Sequence, residues 1–394
     1  MSRLFMFEKP LGMRDTLPEL HEAKDKVRSS IEKEMKSWGF QFIETPTLEY
    51  YETIGNASAI LDQQLFKLLD QQGHTLVLRP DMTAPIARVA ASKLFKDQVP
   101  LRLAYSANVF RAQQREGGRP AEFEQIGGEC IGDNSVSADG EMIALAISSL
   151  KKAGLEQFQL SVGHVGFVNE LFVQILGNEE RARELTKFLY EKNYVGYREH
   201  VKSLPLSSID SQRLLAFLDL RGGPEVIGKA SELVENGKGR AALDEMKLLW
   251  DVIEDFGASD RIKFDLTIVS HMSYYTGILF EVYAGMVGFP IGNGGRYDKL
   301  LEKFGKSTGA TGFAIRLDRL LESLGDLGEP EPVTCILFSP ERRKEAYQLA
   351  AQRRKDGEHV VLQDISAVRN LDACSDTFSD VVFLVGKADK EGTR

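Results

Sequence analysis

Between Leu20 and about Trp38, apolar residues recur at three- and four-residue spacing. Ala23, Val27, Ile31, Met35 and Trp38 form one stripe, the signature of a half-buried helix. Gly39 follows where a C′ glycine would end it. The next segment, FQFIETPTLEY, reads as a strand interrupted by Pro46, a residue that belongs at a sheet edge, a bulge or an interface. Strand character returns at 75–79, 101–111 and 122–131. Residues 139–153 follow the helical period, with Asp139 as N-cap and Gly154 past the end. From about 167 to 256 helical patterns dominate, as in Val168, Leu171, Phe172, Ile175 and Leu176. Strands resume at 262–270 and 276–284. This order predicts an α+β fold: an antiparallel sheet flanked by helices over 1–326, carrying a helical insertion at about 167–256. Residues 327–333 (LGEPEPV) read as a linker. Beyond it a strand, a helix and two further strands predict a small α/β domain over 330–394.

Composition narrows the class. The chain has 394 residues, 43% of them hydrophobic and 27% charged, ordinary proportions for a globular protein of two or three domains. No apolar run approaches the roughly 20 residues that span a bilayer, and MSRLFMFEKP is too polar for a signal-peptide core. A cytoplasmic location and no membrane partner are expected. Cys130, Cys335 and Cys374 show neither a disulfide framework nor a zinc spacing and read as core thiols. The net charge of −9 argues against grip on a polyanion such as tRNA, which calls for a basic stripe. Basic clusters at 342–344 and 353–355 read as a solvated helix face.

Several familiar motifs fail on inspection. FGKST at 304–308 lacks the glycine a phosphate loop needs at Leu300. His21-Glu22 has Asp25 where a zinc site would carry its second histidine. No Ser/His/Asp constellation stands out, and no metal, cofactor or catalytic residue is assigned. The segment EFEQIGGEC is more informative. Period-two alternation places Phe123, Gln125, Gly127 and Glu129 on one face, with Glu124, Ile126, Gly128 and Cys130 on the other. A carboxamide and a carboxylate flanking a glycine form either the floor of a polar ligand site or a solvent-facing surface. In the strand from 275 to 284, Tyr275, Gly277 and Glu281 share one face, and Thr276, Ile278, Phe280 and Val282 face a core. The glycines of GNGGRY (292–297) read as a tight turn.

GMRD near the start, GFQFIETPTLEY, LRPDMTAP, the FR block with FEQIGGE, SYYTGILFE, GGRYD and TGFAIRLDR stand in the order found in class II histidyl-tRNA synthetases. The chain resembles that family over residues 9–325. The resemblance implies the class II antiparallel sheet and a dimer formed through the first helix and the Pro46 region. It also implies a histidine pocket containing Thr83, Gln125, Glu129, Tyr275 and Tyr297, with Asp81 in place of the family's glutamate. In such a pocket Glu129 and a tyrosine hydroxyl can satisfy both imidazole nitrogens, and Gln125 and Asp81 can receive the ammonium.

The departures fall on the ATP side. Arg111 matches the family's α-phosphate arginine, and Asp318 and Arg319 belong to its last motif. Gln113 stands where a glutamate positions ATP, Ser270 where the family carries an activating arginine, and Arg316 at a glycine position. Loss of one such electrostatic group typically costs on the order of 10²–10³ in rate. Residues 330–394 resemble a shortened anticodon-binding domain, which removes the expectation of tRNA recognition.

These features together are those of the regulatory subunits of short-form ATP phosphoribosyltransferase. The chain is identified as similar to that family, with a divergent histidyl-tRNA synthetase as the alternative and a paralogue for another amino acid as a third reading. The resemblance implies a non-catalytic subunit that activates a short-form catalytic partner. It further implies histidine as feedback effector and homodimers within a hetero-octamer.

Overall fold

The computed structural model describes residues 8–55, 57–95, 100–112, 120–235, 237–270, 274–285, 287–325 and 331–386. The chain divides into two compact units, Met1–Leu327 and Gly328–Arg394. Among the described residues no helix is long and apolar enough to cross a membrane.

The first helix, Pro18–Ser37, opens with a proline in its first turn, where the missing N–H costs nothing. It buries Ala23, Val27, Ile31 and Met35, the predicted stripe. Trp38 at its end stacks on Phe256 with ring centroids 6.0 Å apart, and Gly39 follows at φ +82°. Pro46 divides the next segment more sharply than the sequence pattern implies. Gln41–Phe42 joins a nine-stranded sheet, whereas Leu48–Tyr50 joins a separate three-stranded one with Thr75–Leu78 and Lys67–Leu69.

The large sheet runs, edge to edge, through Gln41–Phe42, Leu101–Phe110, Glu122–Ile131, Ala310–Arg316, Gly292–Arg296, Ile278–Ala284, Phe158–His164, Ile262–Asp265 and Arg221–Gly222. Its centre is antiparallel as expected. Two pairs nearer the margins, 41–42 with 101–110 and 158–164 with 262–265, are parallel, so the sheet is mixed. The strand read at 262–270 is ordered as strand only to Asp265.

Helix Val136–Lys152 packs between the first helix and the sheet, burying Met142, Ile143, Leu145, Ala146 and Leu150. Its N-cap is Ser135, whose side chain accepts the Ala138 N–H, and not Asp139. Asp139 lies one turn in, 2% exposed, and binds the Arg296 guanidinium at 2.9 Å. That charged donor draws the aspartate inward, leaving the serine to cap. Among the described residues six helices follow between Val165 and Asp255. Phe167, Phe172, Tyr197 and Phe217 pack on one another there, and their core is continuous with that of the sheet.

The second unit has strands Val333–Phe338, His359–Asp364 and Asp380–Leu384 in a parallel sheet, with helix Arg343–Lys355 packing its Ala346 and Ala350 over Ile336 and Phe338. Two of its basic residues have local acidic partners: Arg342 pairs with Glu345, and Arg353 with Glu358 and Asp380.

Candidate functional site

Strand Glu122–Ile131 lies between Leu101–Phe110 and Ala310–Arg316. Its two faces separate as period-two alternation requires. On one face Glu124 accepts from Arg28 at 2.7 Å, from Ser106 at 2.8 Å and from Lys24 at 2.7 Å, tying the first helix to the sheet. On the other, Gln125 and Glu129 line a small, tight cleft. Both are buried, so this face is the floor of an enclosed site and not a solvent-facing surface.

The cleft gathers Asp81, Thr83, Arg111, Gln125, Glu129, Tyr275 and Tyr297, residues spread over more than 200 positions of chain. Glu129 is 1% exposed. Its carboxylate accepts the Tyr297 hydroxyl at 2.5 Å and the Thr83 hydroxyl at 2.9 Å. Burial pushes the carboxyl up to about 8; the two hydroxyl donors oppose that rise, and nearby Asp81 adds to it. Asp81 accepts from the Ser58 hydroxyl at 2.5 Å and from the Ala84 N–H at 3.0 Å, at the start of helix Thr83–Val89. The Tyr275 hydroxyl accepts from the Asn293 amide at 3.2 Å. The Tyr297 ring packs edge-on against Tyr274 at 5.8 Å, and burial raises the hydroxyl pKa of both well above normal. These phenols therefore stay protonated and act as donors.

Two glycines shape this floor. A Cβ at Gly312 would collide with the Glu129 carboxylate and the Gly128 carbonyl. One at Gly127 would meet the Phe313 carbonyl and the Tyr105 hydroxyl. The glycines of 292–297 prove to be strand and not turn. Gly292–Arg296 is an interior strand, and at Gly294 a side chain would strike the Phe280 ring and the Gly312 carbonyl. Close backbone approach accounts for them better than turn geometry.

The other expected site residues are more scattered. Arg111 lines the cleft; its Nε donates to the Pro80 carbonyl at 2.8 Å, and its guanidinium lies 5.3 Å from the Phe123 centroid. Arg316 lies over the same ring at 3.7 Å and grips Asp318 through two hydrogen bonds of 3.2 and 2.7 Å. Arg319 turns to the Pro290 carbonyl and the Phe289 ring. Ser270 is half-buried, and neither it nor Arg319 is among the described residues lining the cleft. Gln113 lies outside the described residues.

Tyr105, Tyr274 and Asn293 also line the cleft and carried no separate signal in the sequence. Tyr105 enters the site as the register partner of Gly127, a pairing that alternation within either strand does not specify. Nothing local marks Arg296, whose partner Asp139 is 157 residues away. Its guanidinium also reaches the Asp133 and Ser135 carbonyls, fastening helix Val136–Lys152 to the strand that carries Tyr297 at its end.

A model of the histidyl-tRNA synthetase family matches residues 12–320, and one described as "Histidyl-tRNA synthetase HisZ, C-terminal domain" matches 335–386. A protein of Geobacillus kaustophilus (strain HTA426) named ATP phosphoribosyltransferase regulatory subunit is 63% identical over 390 residues, 99% of each chain. One of the same name from Bacillus subtilis (strain 168) is 59% identical over 388 residues, 98% of this chain and 99% of that one. The crystal structure of an ATP phosphoribosyltransferase regulatory subunit/histidyl-tRNA synthetase from Bacillus halodurans C superposes with a TM-score of 0.92 at 58% identity, covering 98% of this chain and 100% of that one. Histidyl-tRNA synthetase from Nostoc sp. PCC 7120 shares the fold, with a TM-score of 0.80 at 21% identity over 96% of this chain and 92% of its own. The chain belongs to the family of ATP phosphoribosyltransferase regulatory subunits, built on the histidyl-tRNA synthetase fold.

Proposed function

We propose that this chain is the regulatory subunit of an ATP phosphoribosyltransferase in histidine biosynthesis, and that it performs no chemistry of its own. It activates a short-form catalytic partner and carries histidine's feedback through the cleft. The observation that carries the histidine assignment is Glu129, a buried carboxylate lining the cleft and held by the Tyr297 and Thr83 hydroxyls. Such a group is poised for a ligand that brings an N–H or a positive charge. An imidazole N–H meets that need. Asp81 and the Gln125 carbonyl oxygen supply acceptors for an ammonium.

The ATP side supports a non-catalytic role. The Arg316 guanidinium covers the Phe123 ring and is pinned there by Asp318, at a position where the resemblance places a glycine. Ser270 brings no charge to a developing phosphate anion.

Regulation follows from differential binding. Histidine shifts the assembly toward whichever conformation has the better-formed cleft, and only by the difference in affinity between the two. Homodimers within a hetero-octamer are the assembly this reading implies. The test is the rate of phosphoribosyl-ATP formation by a purified short-form catalytic subunit, with and without this chain, and with histidine added. Activation that histidine reverses is the expected result. No activation and no co-elution of the two proteins would overturn the reading. Histidine-dependent ATP–pyrophosphate exchange would favour a synthetase in its place.

A further inference from the structure

We propose that the outer edge of strand Asp380–Leu384 docks a second copy of this chain, antiparallel to itself about a two-fold axis at Phe383. The inference stands apart from the cleft and its ligand.

The small parallel sheet runs His359–Asp364, Val333–Phe338, Asp380–Leu384, so its last strand is an edge. No strand among the described residues pairs with its outer side. Val381, Val382, Phe383, Leu384 and Val385 follow one another without a glycine, proline or charge. Edge strands are ordinarily blunted by such residues or by a bulge, because a bare apolar edge recruits another strand. The opposite edge is blunted in this way. It carries His359, Gln363 and Asp364, and His359 reaches Glu331 at 3.2 Å.

The direction of the backbone groups is settled by one bond. The Leu384 carbonyl accepts the Ser339 N–H at 2.9 Å, so it points toward the central strand. Backbone groups alternate sides along a strand. Val382 therefore also turns inward, while Val381, Phe383 and Val385 turn their N–H and C=O outward. The side chains of these three share one face. Val382 and Leu384 lie on the other, with Ile336 and Phe338 under helix Arg343–Lys355. Phe383 is 50% exposed and Val385 41%. Parallel sheets are normally covered on both faces, yet this face is bare where the edge is bare.

A second copy fits both openings at once. A two-fold axis normal to the sheet keeps the faces of two copies aligned when opposed residues have like parity. Centred on Phe383, it sets Val381 opposite Val385 and matches the three outward residues with one another. Each pair can then exchange both backbone hydrogen bonds. The exposed rings and valines merge into one apolar strip, and Asp380 falls opposite Gly386, away from its own copy. The residues that follow, KADKEGTR, hold one apolar side chain and give no alternating strand to cover the edge from within the chain.

The test is disulfide trapping in the full chain, oxidised with copper phenanthroline and read on non-reducing gels. Cys130 and Cys335 are buried, and Cys374→Ser removes the half-buried thiol from the background. Phe383→Cys places two thiols face to face on strands whose Cα atoms would be about 5.5 Å apart, within the roughly 4.4–6.8 Å a disulfide accepts. Val361→Cys is the control: it is also exposed and on the same face, but on the opposite edge strand. Phe383→Cys should yield covalent dimer faster than Val361→Cys by roughly tenfold or more, since paired thiols meet at a high effective concentration. Should loss of the ring itself weaken the pairing, Val381→Cys/Val385→Cys retains Phe383 and sets each thiol opposite its counterpart. Faster dimer formation in either variant supports the inference. Rates no higher than at Val361→Cys in both, or no dimer at all, overturn it.

Discussion

Glu124 and Glu129 sit five residues apart on one strand, on opposite faces of the sheet, and both are buried. Burial raises the carboxyl of each, but the outcomes diverge. At Glu124 the hydrogen bonds from Arg28, Lys24 and Ser106 outweigh burial and hold the pKa below normal. At Glu129 two hydroxyls do not, and the carboxyl stays near 8. One glutamate is neutralised within the fold. The other is left for something the chain does not itself contain. A buried acid kept ionised by cationic partners is architecture, whereas one whose partners are neutral and whose pKa stays raised marks a binding site.

The largest effect that would break this contrast comes from Glu129→Gln. With a folded pKa raised above its unfolded value, Glu129 favours the folded state below about pH 4.5 and loses that contribution as pH rises through about 8. The variant should therefore be more stable than the parent at pH 9, by about 2–4 kcal/mol, while the two converge near pH 4. Thermal melts across that range measure it. A parent stability that is flat from pH 5 to 8 would show that Glu129 is ionised and already compensated. The companion change Glu129→Ala should weaken histidine binding by roughly 1.5–3 kcal/mol in calorimetry, and unchanged affinity would mean that the cleft serves another ligand.

Gly312→Ala is next. It leaves both glutamates in place but drives a methyl into the Glu129 carboxylate and the Gly128 carbonyl. A stability loss of about 1–3 kcal/mol is expected, with histidine affinity reduced more than tenfold. Retained affinity would place the ligand elsewhere.

Glu124→Gln sharpens the comparison from the other side. Its depressed pKa contributes stability above the normal carboxylate range that is lost as pH falls, the reverse of Glu129. Because Lys24 and Arg28 remain about a quarter exposed, the expected loss is only about 1–2 kcal/mol, with histidine affinity unchanged within threefold. The smallest effect is Ser270→Arg, which should produce no histidine-dependent ATP–pyrophosphate exchange, since Arg316 still covers Phe123. Measurable exchange would show that one residue had silenced activation.

Much of this contrast was legible in nine letters, EFEQIGGEC, because a strand alternates sides whatever surrounds it. The helix stripe Ala23–Met35 was legible for the same kind of reason. Features that depend on distant partners were not. Asp139 looks like a cap until Arg296 is known to face it. Gly292–Gly295 resembles a turn, since glycine marks both turns and crowded strands, and only the neighbouring Phe280 ring and strand backbones distinguish them. Tyr105 became a site residue through its register with Gly127, a pairing between strands that their own patterns do not specify.

The glycine floor has a consequence for how such a protein can change. At Gly127 and Gly312 any side chain meets backbone or a buried polar group, so the base of the cleft is a fixed mould that single substitutions cannot recut. Adjustment is confined to the other lining positions, where Asp81, Gln125 and Asn293 carry side chains that can be lengthened, shortened or neutralised. A new effector would thus be acquired by altering the grip on its ends, while the depth of the cleft continues to admit molecules of one size.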